Sequence, residues 1–209
     1  MYKGQLFVFS GPSGAGKGTI CKMILEAVDV SLSISMTTRD PRPKEVNGVS
    51  YHFISTAEFK RIIEAGGFLE YAEVYGRYYG TPKSEVLEKL EQGIDVILEI
   101  DVQGAIQIKE RYPDSVLIFF LPPTMAELKE RITNRKTDSE EAIKLRLSKT
   151  FSEIVQIHKY DYFVINNNLE EAVESVKSII AVQHCRVTGD IYELIDQYKE
   201  EINALSINQ

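Results

Sequence analysis

Tryptophan is absent from the 209 residues, cysteine occurs only twice and histidine only three times. Cys21 and Cys185 stand far apart with no metal-type spacing, which argues against a cysteine metal site or a disulfide framework. Both fall in apolar helical patterns and are expected as buried free thiols. His52, His158 and His184 show no pairing of a base with a nucleophile. No stretch approaches the ~18 apolar residues of a membrane span, and the N-terminus lacks a basic segment followed by a signal-type apolar run. The chain is therefore expected in the cytoplasm and away from membranes. Positive charge is in deficit: 24 Lys and Arg face 31 Asp and Glu, a formal net charge of -7. A general nucleic-acid or anionic-membrane surface is disfavoured on that balance. Any anionic ligand must meet a local cluster of Arg and Lys.

What is present is ordinary for a globular chain, 44% hydrophobic and 26% charged, and long enough for one compact domain with a sizeable core. There is no internal repeat or low-complexity tract. Short apolar runs at Leu6–Phe9, Leu32–Ser35, Val96–Ile100, Val116–Leu121 and Tyr162–Ile165 read as buried strands. Helix-period segments near 17–28, 103–111, 124–134, 139–158 and 169–186 alternate with them. This alternation predicts an α/β fold with a parallel sheet covered on both faces. From Thr37 to Gly80 the rhythm breaks into a stretch rich in Pro, Gly, Tyr and charge, with one clear helix over Thr56–Ala65. Residues 37–81 read as an inserted lobe, in which Tyr51–Phe53 and Phe68–Tyr71 could be short strands, between the two parts of a core at 1–36 and 82–188. A polar break inside a smaller insertion, about 132–145, and an amphipathic helix over 189–209 complete the plan.

Gly11-Pro12-Ser13-Gly14-Ala15-Gly16-Lys17 matches the first seven positions of the phosphate-loop pattern G-x-x-x-x-G-K-[ST], in a strand–loop–helix context. Its glycines let backbone N–H groups turn toward phosphate oxygens, the helix start adds its positive end, and Lys17 adds a full charge. The eighth position departs from the pattern. Gly18 stands where a hydroxyl would ligate Mg²⁺ and Thr19 follows one residue later, so the metal's ligands stay open. The G-K-G-T ending occurs in kinases that act on nucleoside monophosphates, which directs attention to an acceptor site.

Arg39 and Arg42 lie three residues apart on a proline-stiffened loop, and two forked guanidiniums suit one terminal phosphate. Glu99 and Asp101 close an apolar strand and share a face by period two, at the strand end where open parallel sheets place ligands. Taken with GPSGAGK, the segments SMTTRDPRPKEVNGVSYHF, FLEYAEVYGRYYGTP, VILEIDVQGA and FFLPP resemble guanylate kinase from about Gly4 to Val182. The resemblance implies the P-loop NTPase three-layer fold with a nucleoside-monophosphate lobe and a small lid. It also implies phosphoryl transfer from Mg–ATP to GMP, giving ADP and GDP.

By resemblance, the loop from Gly11 to Thr19 and Arg131 hold ATP. Arg39, Arg42, Tyr51 and Tyr79 hold the GMP phosphate, Glu70 faces the base, and Ser35 and Thr81 lie near guanine O6. The resemblance gives Asp101 the organisation of Mg²⁺ and water, sets Glu99 toward the acceptor nucleotide, and makes Arg131, Arg135 and Arg146 lid arginines. Lys17, Arg42, Arg135, Arg146 and Mg²⁺ would neutralise the transferring phosphate. Lys136 stands where the family frequently has glycine, and Asn166-Asn167-Asn168 resembles the segment beside adenine. Two rivals share these features: a related kinase with another phosphorylated acceptor, and a silent guanylate-kinase-like module that binds phosphopeptides.

Overall fold

The computed structural model describes residues 3–74, 76–133, 140–187 and 191–207. Strand β1 (Leu6–Ser10) is buried along its whole length, as a continuous apolar run in the middle of a parallel sheet should be. It pairs in parallel with β7 (Val96–Glu99) and β8 (Val116–Leu121) on its two sides. The five-stranded sheet has the order β2-β7-β1-β8-β9, with β2 at Ser31–Leu32 and β9 at Tyr162–Ile165. All its pairings are parallel.

Period-two alternation along β1 divides the core into two clusters. Phe7 and Phe9 face α1 (Lys17–Ala27) and α7 (Leu169–Gln183), packing with Ile20, Ile24, Val173 and Val176. Leu6 and Val8 face the other side, where Val86 of α3 (Lys83–Glu91) and Ile108 of α4 (Val102–Arg111) cover the sheet. The result is three layers, helix–sheet–helix.

A second sheet of order β4-β3-β6-β5 forms the inserted lobe. Its strands are β3 (Met36–Thr37), β4 (His52–Phe53), β5 (Phe68–Val74) and β6 (Arg77–Pro82). Helix α2 (Thr56–Glu64) buries Phe59 against Phe68, their rings stacked 4.4 Å apart. Ser55 caps α2 by accepting from the Glu58 N–H, which satisfies one of the orphan donors at the helix start. Further along the chain come α5 (Met125–Thr133), α6 (Glu140–Ile154) and α8 (Ile191–Ile207).

Several expectations are corrected. The strand expected over Leu32–Ser35 pairs as β2 only at Ser31–Leu32, because the chain leaves the core sheet there to enter the lobe through β3. Helix α3 was not anticipated: it follows directly on the Tyr-Gly-Thr-Pro segment and buries a single residue, Val86. The segment 139–158 ends as α6 at Ile154 and continues as a 3-10 turn over Val155–Lys159. Helix α7 stops at Gln183, short of 186, which leaves Cys185 exposed in the following turn; Cys21 is buried, and both thiols are free. Burial, with a smaller contribution from Glu99, raises the Cys21 pKa to about 12, so that thiol is inert. Among the described residues no helix is long and apolar enough to cross a membrane.

Candidate active site

The phosphate loop links β1 to α1 at the carboxyl edge of the sheet. Gly16 occupies the cap position of α1 with φ 92°, and no side chain caps the helix or places an acid in its first turn. No side chain of the protein thus competes at the cap for a ligand at the start of α1, with the helix dipole behind it. Only glycine suits position 16: φ is left-handed, and a Cβ there would sit 2.1 Å from the Asn166 side-chain nitrogen. That nitrogen donates to the Ala15 carbonyl at 2.9 Å, pinning the loop from behind. Lys17 Nζ donates to the carbonyls of Gly11 (2.6 Å) and Pro12 (3.1 Å), curling over the loop it will serve.

The loop opens on a cleft of about 600 Å³ whose far wall is the lobe. Lys17, Gly18 and Thr19 line one end; Ser35, Arg42, Tyr51, Glu70 and Tyr79 line the other; Glu99 and Asp101 lie in the same lining. Pro12 and Ala15 stay behind the loop surface, Ala15 fully buried. A second cavity of about 370 Å³ adjoins Gly14, Gly16 and Thr19 and is walled by Arg131, Asn166 and Asn167. Arg131 reaches it while donating to Glu127 Oε2 and to the Asn166 carbonyl, both at 3.2 Å. Arg135 lies outside the described residues, and for Arg146 only its place in α6 is described.

The acceptor end is organised by side chains. Glu70 is buried, and its Oε1 accepts from the Thr81 hydroxyl at 2.6 Å. A shift of register between β5 and β6 sets Phe68 opposite Pro82 but Glu70 opposite Thr81. The extra residue, Leu69, packs into the core while Glu70 is aimed at the cleft, the re-aiming that a β-bulge provides. Burial chiefly, and then the nearby Asp101 charge, pushes the Glu70 pKa up to about 7 against the lowering effects of the Thr81 hydrogen bond and Arg111. Burial raises Tyr51 as well, so it stays a neutral phenol and a donor.

Arg39 does not line the cleft directly. Its two nitrogens form a fork with Glu45, 2.9 Å to each carboxylate oxygen, and its guanidinium lies 5.5 Å from the centre of the Tyr51 ring. Glu45 also accepts from the Arg42 backbone N–H at 2.7 Å, so one carboxylate fixes both arginines of the loop. The Arg39 hydrogen bond holds Glu45 below the usual carboxylate range.

Glu99 and Asp101 part company. Glu99, the exposed end of β7, lines the cleft within its walls, and its carboxylate lies 3.4 Å from where a Cβ on Gly18 would be. Burial by the surrounding protein raises its pKa, and Lys17 opposes that rise. Asp101 caps α4, accepting from the Gly104 N–H at 2.9 Å, and its charge is felt by Glu70. Strand alternation puts the two acids on a common face, yet β7 ends at Glu99, and Asp101, as the cap of α4, is turned toward the base end.

Two charged cleft residues, Lys149 and Glu153, and the support residue Glu45 escaped the sequence reading. Glu45 had no local pattern to mark it. Lys149 and Glu153 line the cleft from α6, and Glu153 feels Lys17 and Asp101. With Arg146 they fall at helical spacing of three and four, a signal that a face-by-face reading of α6 could have caught.

A family model described as guanylate kinase matches residues 3–183. The chain belongs to the guanylate kinase family. Curated guanylate kinases of Clostridium acetobutylicum (51% identical over 201 residues, 96% of each chain) and Clostridium tetani (53% over 187 residues, 90% of each) are similar nearly end to end. The crystal structure of guanylate kinase from Anaplasma phagocytophilum aligns with a TM-score of 0.79 at 30% identity, covering 93% of this chain and 95% of the other. The P-loop NTPase core described above is therefore the guanylate kinase fold. Helix α8 lies beyond the part of the chain that the family model matches.

Proposed function

We propose that this cleft joins ATP, held at the phosphate loop, to GMP, held at the Glu70 end, and moves the terminal phosphoryl group between them in line. The activity, ATP:GMP phosphotransferase, accords with family membership; the residue roles are proposed from the resemblance, and the shared cleft supports them. The observation that carries them is a single cleft lined at one end by Lys17 and at the other by Glu70, Arg42, Tyr51 and Tyr79. Guanine offers N1–H and N2–H₂ as donors, which an ionised Glu70 accepts together. Adenine presents an unprotonated N1 there and is rejected, because a buried partner group would go unpaired. Arg42 and Tyr51 meet the acceptor phosphate, with Arg39 behind them on Glu45 and the Tyr51 ring, and the second cavity with Arg131 and Asn167 takes the adenine of ATP.

The acceptor phosphate is already an anionic nucleophile, so the protein's task is positioning and charge neutralisation. Lys17 and Arg42 supply charge from the described residues, with Lys149 beside them and Arg135 and Arg146 from the lid. Closure of lobe and lid would keep water from the transferring group. Glu99, rather than Asp101, suits the metal. Gly18 offers no hydroxyl, and the Glu99 carboxylate stands in the space beside it. One carboxylate with Thr19 and water is a donor set that Mg²⁺ accepts, since it keeps several waters and takes one or two carboxylates. Bound there, the metal would neutralise phosphate charge. Asp101 then belongs to the base end beside Glu70.

The test is coupled ADP release with Mg–ATP and a panel of GMP, dGMP, AMP, IMP, CMP and UMP. Turnover confined to guanine monophosphates is expected. Turnover with AMP or a pyrimidine at a comparable rate would overturn the reading of Glu70, and ADP release with none of them would overturn the acceptor site.

A further inference from the structure

The stretch of β5 that carries the Glu70 carboxylate is held by helix α4 of the core. The Gln107 side-chain nitrogen donates to the Tyr71 carbonyl at 2.9 Å, and the Arg111 guanidinium donates to the Leu69 carbonyl at 2.6 Å. These carbonyls flank Glu70 on β5, which is the edge strand of the lobe sheet, so the donors occupy backbone acceptors that an edge leaves open. Gln107 and Arg111 are one turn apart, and Gly104, one turn earlier, completes the face. Gly104 is buried, and a Cβ there would lie 2.4 Å from Glu70 Oε2 and 2.9 Å from its carboxyl carbon. Glu70 cannot swing the other way without leaving Thr81, which donates to its second oxygen.

The backbone does not call for glycine at this position. Gly104 has no positive φ and sits in a regular helix, where alanine is the better former. Space calls for it: the atoms a methyl would strike hardest are the tip of the Glu70 side chain, and the third, Ile100 Cδ1 at 3.3 Å, is also a side-chain end. The cost of filling the space thus falls on the placement of Glu70 and leaves the packing of α4 intact.

We infer that the Gly104–Gln107–Arg111 face of α4 is the positioning element for guanine recognition, with Gly104 reserving the space that the Glu70 carboxylate occupies. This rests on Glu70 reading the base, as proposed above. In Gly104→Ala, KM for GMP should rise about tenfold or more, with KM for ATP unchanged and the thermal midpoint equal or higher. The preference for GMP over inosine monophosphate, which lacks the 2-amino group, should fall in parallel. Shortening the acid should make the methyl harmless: Gly104→Ala combined with Glu70→Asp should bind GMP no worse than Glu70→Asp alone. Gln107→Leu, which touches neither the carboxylate nor the helix cap, should raise KM for GMP two- to threefold and serves should Gly104→Ala fail to fold.

An unchanged GMP KM and base preference in Gly104→Ala overturns the inference. So does full additivity with Glu70→Asp, or a loss shared equally by ATP and GMP. Glu70→Gln in the same assays separates the levels. If it spares the guanine preference, the reading of Glu70 is wrong and the inference falls with it; if it abolishes the preference while Gly104→Ala and Gln107→Leu do not, the inference alone falls.

Discussion

The two ends of the cleft are built from different materials. At the ATP end the ligand-facing groups are backbone: a glycine loop, an uncapped helix start and one lysine that folds back onto loop carbonyls. At the GMP end they are side chains fixed by other side chains, Glu70 by Thr81 and Arg39 by Glu45. A phosphate is the same whatever nucleotide carries it, so peptide groups suffice to hold it. A base must be distinguished from three others, and that takes a particular carboxylate held dry at a particular angle. Rate should therefore depend most on the first end and selectivity on the second.

The sharpest break in that contrast is Lys17→Ala. It should lower kcat about a thousandfold while leaving GMP affinity, measured by calorimetry without ATP, within about twofold. A large loss of GMP binding would mean that the two ends are not separable.

A change of pH should act mainly on the other end. Glu70 titrates near 7 before GMP arrives, and the donors of guanine need its ionised form. Lowering the pH from 8 to 6 should then raise KM for GMP about tenfold and leave KM for ATP flat. Glu70→Gln should remove most of that slope, what is left being the GMP phosphate itself. The same raised pKa has a folding signature. The relative stability that a protonated Glu70 contributes is complete below about 4.5 and is lost as the pH climbs through about 7, which a urea titration series would register.

The smallest effect sharpens the contrast. In Gly18→Ser the new Cβ would stand in ordinary contact with Glu99, 3.4 Å from Oε1, with no strained φ to oppose it. Turnover should stay within about threefold of the parent, because the change, though in the cleft lining, breaks no packing or hydrogen bond. A drop of a hundredfold would show that Glu99 needs the room for itself.

This division also explains how much could be read from the chain. The phosphate loop was legible because its backbone demands glycines at fixed intervals beside one lysine, a local signature. The core strands were legible because burial on both faces writes continuous apolar runs. The acceptor side chains could be listed by resemblance, but their supports could not: Glu45 and Gly104 matter through what lies opposite them, and neither spacing nor composition carries that information. Helix α3 was missed because it buries one residue and starts on a proline that reads as the end of the preceding strand. Glu99 and Asp101 kept their common face only on paper, since strand periodicity does not foresee that Asp101 will become a helix cap.

The order of the core sheet has a consequence for how the protein is born. The first strand of the chain is the middle strand of the sheet, with Leu6 beside Val96 and Phe7 beside Val116. A ribosome adding about 5–20 residues per second leaves that strand without either neighbour for many seconds after it emerges. During that interval the run from Leu6 to Phe9 is a bare apolar segment that chaperones or aggregation could claim. The loop that will grip ATP has no complete frame until β8 has emerged, so before that point bound nucleotide has no formed site to stabilise.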